Sequence, residues 1–112
     1  MAGFANTLEI YLANLRRYLI KNAVTHVGRF ETVLPLFISN GFDGCFLDGD
    51  HDAASVFRDS EMALRLIKRG GWFAWHDYGR DGCGVSTVAD AVAQKYDVGL
   101  ERADFLAWIR LP

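Results

Sequence analysis

The sequence has little of several features that mark large classes of protein. Its two cysteines, Cys45 and Cys83, form no C-x-x-C pair, so a reducing cytoplasm is the expected compartment. The formal charge of −2 and the lack of a basic run give no sign of a positively charged surface that would bind nucleic acid. The longest apolar run, residues 33–38, is interrupted by Pro35 and is too short to cross a bilayer. We therefore expect neither a nucleic-acid partner nor a membrane.

The composition instead favours a folded domain. Of the 112 residues, 51% are hydrophobic and 23% are charged, which is enough apolar material for a core and too little charge for a disordered tail. The length suits one domain, residues 1–112, and makes a second core implausible. The N-terminus lacks the charged-then-apolar order of a signal peptide.

Hydrophobic periodicity predicts alternating helices and strands. Asn6 and Glu9 have the form of a capping box for the first helix. The run at 42–47 is continuously apolar, as in a strand covered on both faces. The alternation predicts a mostly parallel sheet with helices on both faces and an antiparallel hairpin at one edge. The predicted elements are helices at 7–20, 31–39, 53–68 and 85–95, and strands at 23–28, 42–47, 72–75, 96–100 and 104–111, with a glycine C-cap at 40–41.

Polar residues crowd the ends of two successive predicted strands. The sequence DGDH follows one strand at 48–51, and HDY follows the next at 76–78. Because ligands gather at the carboxyl ends of parallel strands, these clusters are expected to face one another. Oxygen-rich ligation suits Mg²⁺, Mn²⁺ or Ca²⁺, and a histidine ligand favours Mn²⁺ or another transition metal. The structural alternative is that Asp48, Asp50 or Asp52 caps the next helix and that His76 is a satisfied histidine at the top of the core.

Four segments carry a resemblance to the class I methyltransferases that use S-adenosylmethionine. The chain is most similar to the metal-assisted O-methyltransferases of small molecules, and the resemblance covers nearly its whole length. The segments are VGRFETVLP at 27–35, FDGCFLDGDH at 42–51, LIKRGG at 66–71 and WFAWHDYG at 72–79, similar to the family's xGxxExxLP, FDxxFxDGDH, LLKPGG and GGxxxxHDYG.

The resemblance implies a three-layer, Rossmann-like sheet and transfer of a methyl group to an oxygen nucleophile. It assigns a divalent cation, Mg²⁺ or Mn²⁺, to Asp48, His76 and Asp77, and makes His51 the general base beside Asp48. It also implies that Gly28, Arg29, Phe30 and Asp48 contact S-adenosylmethionine. Many relatives carry an acidic residue at the position of Arg29, so this chain departs from the family at the contact with adenine. The alternative for Phe30 is that it is a core residue and does not contact the cofactor.

The family's opening strand, glycine-rich turn and helix have no counterpart, since the only glycine before Gly28 is Gly3. We therefore expect a partial domain that lacks the first two strands. Its exposed sheet edge predicts a homodimer, or a compact sheet of order 3-4-5-7-6 in the family's strand numbering. The alternatives are a non-catalytic module that dimerises and, more weakly, a metal-dependent hydrolase.

Overall fold

Four strands form one sheet in a computed structural model of the protein, which describes residues 2–37, 39 and 41–112. The fold is a mixed α/β arrangement in which helices alternate with the first strands. The elements are α1 (Ala2–Arg17), α2 (Phe30–Val33), a 3-10 turn (Leu34–Leu36), β1 (Phe42–Leu47), α3 (Ala53–Leu64), β2 (Ile67–His76), α4 (Val85–Lys95), β3 (Glu101–Ala103) and β4 (Leu106–Arg110).

The strand order is β1-β2-β4-β3, and only its first pairing is parallel. Leu47 lies opposite Trp75 in that pair, so β1 and β2 end side by side. The pairings of β2 with β4 and of β3 with β4 are antiparallel. A C-terminal antiparallel hairpin is therefore present, but its first strand is Glu101–Ala103 and not the predicted 96–100. The sheet is mixed and not mostly parallel.

The strand predicted at 23–28 does not form. Its β-branched residues favour a strand, yet Val24 and Val27 are 82% and 73% exposed, and the segment has no strand assignment. A strand needs a neighbour to take up its backbone hydrogen bonds, and local composition cannot supply one. The predicted order 3-4-5-7-6 thus loses its first member, while the four strands that do form keep the remaining order of neighbours.

One face of the sheet carries the core. Phe73 and Trp75 of β2 are fully buried, and they pack with apolar residues of α3 and α4, which contact each other on that face. On the other face Phe46 and Trp72 remain 52% and 40% exposed. The expected three layers are therefore two in the part of the chain that the structure describes, because no helix there covers the second face.

Several helix boundaries differ from the predicted ones. Helix α1 begins at Ala2, so Asn6 lies inside it rather than at its start. Helix α3 ends at Leu64 because Ile67 already pairs with Phe42 in the sheet. The cap predicted at 40–41 includes Asn40, which lies outside the described residues. None of the described helices has the length and apolarity that crossing a membrane requires.

Candidate functional site

The parallel pair β1–β2 brings the two predicted polar clusters together. Asp48 follows the last residue of β1 and His76 ends β2, and the register that pairs Leu47 with Trp75 makes these two residues neighbours. Nδ1 of His76 lies 3.5 Å from Oδ1 of Asp48. The convergence on which the sequence argument depends is therefore present in the fold.

Asp77 is the best-connected carboxylate of the site. Its side chain is buried, and its backbone has φ of 71°, a left-handed conformation that is uncommon for non-glycine residues but less so for aspartate. Oδ2 lies 2.8 Å from Nε2 of His51. Oδ1 accepts a hydrogen bond of 2.5 Å from Nε of Arg80. Two cationic or potentially cationic side chains thus occupy the two oxygens of one carboxylate.

These neighbours set the charge of Asp77. Burial by itself raises the pKa of this carboxyl, but the close approach of the His76 imidazole, the hydrogen bond from Arg80 and the nearby His51 imidazole outweigh burial. The pKa of Asp77 is therefore lowered from its usual value. The carboxylate stays ionised at neutral pH, where it can orient an imidazole or bind a cation.

His76 has a polar atom with no proper partner. Its Nδ1 is shielded from solvent and makes no hydrogen bond of acceptable geometry, although it lies 3.2 Å from Oδ1 of Asp77 and 3.5 Å from Oδ1 of Asp48. The His76 nitrogen is therefore close enough to both carboxylates for electrostatic attraction, but its geometry does not suit a hydrogen bond. A buried nitrogen left in this way is uncommon in folded proteins and is the kind of atom that a bound cation would satisfy.

Two overlapping sets of side chains have the chemistry to hold a divalent cation. Asp48, His51 and Asp77 each offer a ligand atom, and these atoms lie within 4.8 Å of one another. The predicted set replaces His51 by His76, whose unpaired Nδ1 faces the same two carboxylates. Carboxylate oxygens with one imidazole nitrogen suit Mg²⁺ or Mn²⁺. The residues present fit such an ion.

The loop after β1 is held by the starts of two helices. Asp52 caps α3, since its Oδ2 accepts a hydrogen bond of 3.0 Å from the Ser55 amide. This bond is the largest cause of the lowered pKa of Asp52. The amide of Gly84, at the start of α4, donates to the carbonyl oxygen of His51 at 2.7 Å. The capping alternative is thus correct for Asp52, and it leaves Asp48 and His51 free for other roles.

A groove of about 630 Å³ lies beside the cluster. Three of the predicted cofactor contacts, Arg29, Phe30 and Asp48, line it. Phe30 also packs against the core, so it has a structural role whether or not it contacts a ligand. Gly28 does not line the groove, and a Cβ there would meet Cγ2 of Val33 at 2.9 Å. Asp48 is common to the groove and to the carboxylate cluster.

Two further polar residues of this region are missed by the sequence argument. Arg80 falls in a predicted loop, although its position three residues after Asp77 is a usable signal. Asp59 is 6% exposed and lines the groove, and its spacing from Val56 and Ala63 places it on the buried stripe of α3. Burial raises the pKa of Asp59 against the opposing effect of Arg58.

The fold and this strand-end site define a class of α/β domains whose ligands bind at the carboxyl ends of parallel strands. The chain belongs to a family of methyltransferase domains, whose family model, described as "Methyltransferase domain", matches residues 4–78. That range includes Gly28, Asp48, His51 and the 76–77 pair, and so covers every residue that the resemblance assigned.

A curated relative comes from Acanthamoeba polyphaga mimivirus. It is described as "Uncharacterized protein R132" and is 29% identical over 75 residues. The aligned segment covers 58% of this chain and 34% of the relative. The chain therefore spans about a third of the length of that protein.

Proposed function

We propose that this methyltransferase domain transfers the methyl group of S-adenosylmethionine to a hydroxyl oxygen of a small molecule, with the help of a divalent cation. The observation that carries the proposal is the position of Asp48, which lines the groove and also faces His76 and Asp77. A ligand in the groove and an acceptor at the carboxylate cluster would therefore be neighbours. Family membership supports the use of S-adenosylmethionine.

His51 is the proposed general base. Asp77 accepts the contact from Nε2, which leaves Nδ1 of this largely exposed ring for the acceptor hydroxyl. The hydroxyl proton moves to Nδ1, the oxygen bonds to the methyl carbon, and the carbon–sulfur bond breaks with its electron pair remaining on sulfur. Asp77 holds the ring in place and stabilises the imidazolium that forms, as a carboxylate does beside a catalytic histidine.

The cation is assigned to Asp48, Asp77 and Nδ1 of His76. A divalent ion there would supply positive charge that lowers the pKa of the acceptor hydroxyl. Asp48 and Asp77 would hold it by charge, and the unpaired nitrogen of His76 would gain a partner. This assignment leaves His51 free to take the proton. The cofactor's nucleoside is assigned to the groove, with Phe30 beside the base and Arg29 at its rim, while Gly28 shapes the turn before them.

Titration calorimetry with S-adenosylmethionine and S-adenosylhomocysteine, with and without Mn²⁺, tests the binding half of the proposal. Transfer of a labelled methyl group to a panel of hydroxyl compounds tests the chemistry. We expect His51→Ala to lower transfer by roughly 100-fold or more, the usual contribution of a general base, with little change in cofactor affinity. Asp48→Asn should weaken binding of both Mn²⁺ and the cofactor.

Asp81→Asn is the matched control, because Asp81 is an exposed aspartate of the loop that follows the site. It should leave both ligands unaffected. Absence of binding by both S-adenosyl compounds at millimolar concentration would exclude the proposed function for this chain. A Mn²⁺ signal that Asp48→Asn abolishes, without any cofactor binding, would favour the metal-dependent hydrolase instead.

Association with a second copy remains the proposed oligomeric state. Strand β1 pairs on one side only within the described part of the chain, and an unpaired strand edge is a template for pairing. Phe46 of that strand is exposed on the open face next to this edge. Light scattering after size exclusion should show a dimer that Phe46→Glu weakens, and a monomer at all concentrations would contradict it.

A further inference from the structure

Arg80 is held rigidly beside the proposed catalytic pair. Its Nε donates to Oδ1 of Asp77 at 2.5 Å, and its Cζ lies 4.2 Å above the centre of the Phe105 ring. About half of its side chain is exposed. Its two terminal nitrogens have no acceptor among the residues that the structure describes, so a fixed guanidinium presents unused donors to solvent.

The same carboxylate fixes the position of Arg80 relative to His51. Oδ1 of Asp77 binds Arg80 and Oδ2 binds His51. A small molecule whose hydroxyl reaches His51 therefore has a guanidinium within the length of a short substituent. Carboxylates and phosphates match the planar donor pair of arginine.

The charges of the surrounding residues favour that side of the site for an anion. Asp48 and Asp50 line the groove, and they would repel a second negative charge. The two arginines of the groove, Arg29 and Arg58, lie beside carboxylates of their own, those of Glu31 and Asp59. Arg80 contacts Asp77, the carboxylate that also binds His51. An anionic substituent would therefore be drawn toward the loop after β2 and away from the groove.

We propose that the acceptor is an anionic hydroxy compound whose carboxylate or phosphate binds Arg80 while its hydroxyl meets His51. The inference rests on the proposed function for the role of the hydroxyl, but the binding of the anion stands on Arg80 alone. Arg80 is thus a specificity-determining residue. It selects among acceptors and takes no part in the proton transfer.

The chain offers a matched control in Arg102. Its guanidinium lies over the ring of Tyr78 at 5.0 Å, and its terminal nitrogen donates to the carbonyl oxygen of Asp104 at 3.1 Å. It is exposed and stacked on an aromatic ring, like Arg80, and it borders the same loop at Gly79. It makes no ion pair with a carboxylate of the site within the described residues.

The test measures the affinities of meta-hydroxybenzoate, meta-hydroxyphenyl phosphate and phenol by calorimetry, and follows the Nε–Hε resonance of Arg80 by NMR. We expect either anion to bind the wild-type chain about tenfold more tightly than phenol and to shift that resonance. Arg80→Gln should bring the ratio of anion affinity to phenol affinity close to one. Arg102→Gln should leave it unchanged. The tighter of the two anions identifies the substituent as carboxylate or phosphate.

Three results would overturn the inference: equal affinity of the wild type for the anions and phenol, no binding of any probe, or an equal loss in the two variants. An equal loss would show a general surface charge effect. The ratio also separates specificity from structure, since damage to Asp77 or to folding weakens all probes alike. Anion preference without any methyl transfer would support the inference and contradict the proposed function, so the two can fail separately.

Discussion

The imidazole of His51 and the carboxylate of Asp77 form the central contact of the site, with Nε2 and Oδ2 at 2.8 Å. The two residues come from different strand ends, and the parallel register of β1 and β2 brings those ends together. His51 is largely exposed while Asp77 is buried. A buried, ionised carboxylate that orients an accessible imidazole is the arrangement that general-base catalysis uses.

Asp77 should make folding stability depend on pH at the acid end. Its pKa is lowered in the folded state, so its ionised form adds stability above the usual aspartate pKa, and this contribution is lost as pH falls from about 4. Thermal unfolding in EDTA between about pH 2 and 7, a range set by that reference pKa, checks this. Asp77→Asn should flatten the decline seen in the wild type. Identical profiles would show that the contacts of Asp77 add no net stability.

Asp59 should make folding stability depend on pH in the opposite direction from Asp77. Burial raises its pKa, so the folded state holds its proton more tightly than the unfolded chain, and stability falls as pH rises through that raised value. Asp59→Asn keeps the shape and removes the charge. We expect its melting temperature near neutral pH to exceed that of the wild type by roughly a few degrees, and the gain to disappear in acid. Asp81→Asn, at an exposed site, should show no such gain.

Loss of the buried hydrogen bond between Trp75 and Ser60 should lower the stability of the fold. Nε1 of Trp75 donates to Oγ of Ser60 at 2.9 Å, and both side chains are fully buried. Ser60→Ala leaves the indole N–H without an acceptor, which costs about 1–3 kcal/mol of unfolding free energy. Urea denaturation measures the loss. In the Trp75→Phe background the same substitution should cost clearly less, and an equal cost in both backgrounds would contradict a role for the bond.

Gly84 should not tolerate a side chain. A Cβ at this position would lie 2.4 Å from the backbone nitrogen of Ala53, where the starts of α3 and α4 meet. Gly84→Ala must separate the helices or break the bond from its amide to His51, so we expect the free energy of unfolding to fall by about 1–3 kcal/mol, the usual cost of overpacking. Gly99→Ala is the control, because a Cβ added there would have no described atom beyond its chain neighbours within 4 Å. Equal melting temperatures for the two variants would refute the steric argument.

Much of the fold follows from local patterns. The strand at Phe42–Leu47 and the helix at Val85–Lys95 have the predicted bounds, because each run of apolar residues ends at strong polar or glycine signals. The predicted end of the helix that corresponds to α3 is wrong. Leu66 and Ile67 continue the helical spacing, but the hydrogen bond from the Phe42 amide to the Leu66 carbonyl draws this segment to the sheet. The periodicity of the local sequence does not predict such a long-range bond.

The sequence by itself determined the family, the alternation of helices and strands, and the residues that meet at the strand ends, because motif order and hydrophobic periodicity are local properties of the chain. Only the tertiary structure decided that residues 23–28 form no strand and that one face of the sheet is open. It also decided that Asp77, and not Asp48, binds His51 and Arg80. These outcomes depend on which groups a long-range register brings within a few ångströms, and no local pattern contains those distances.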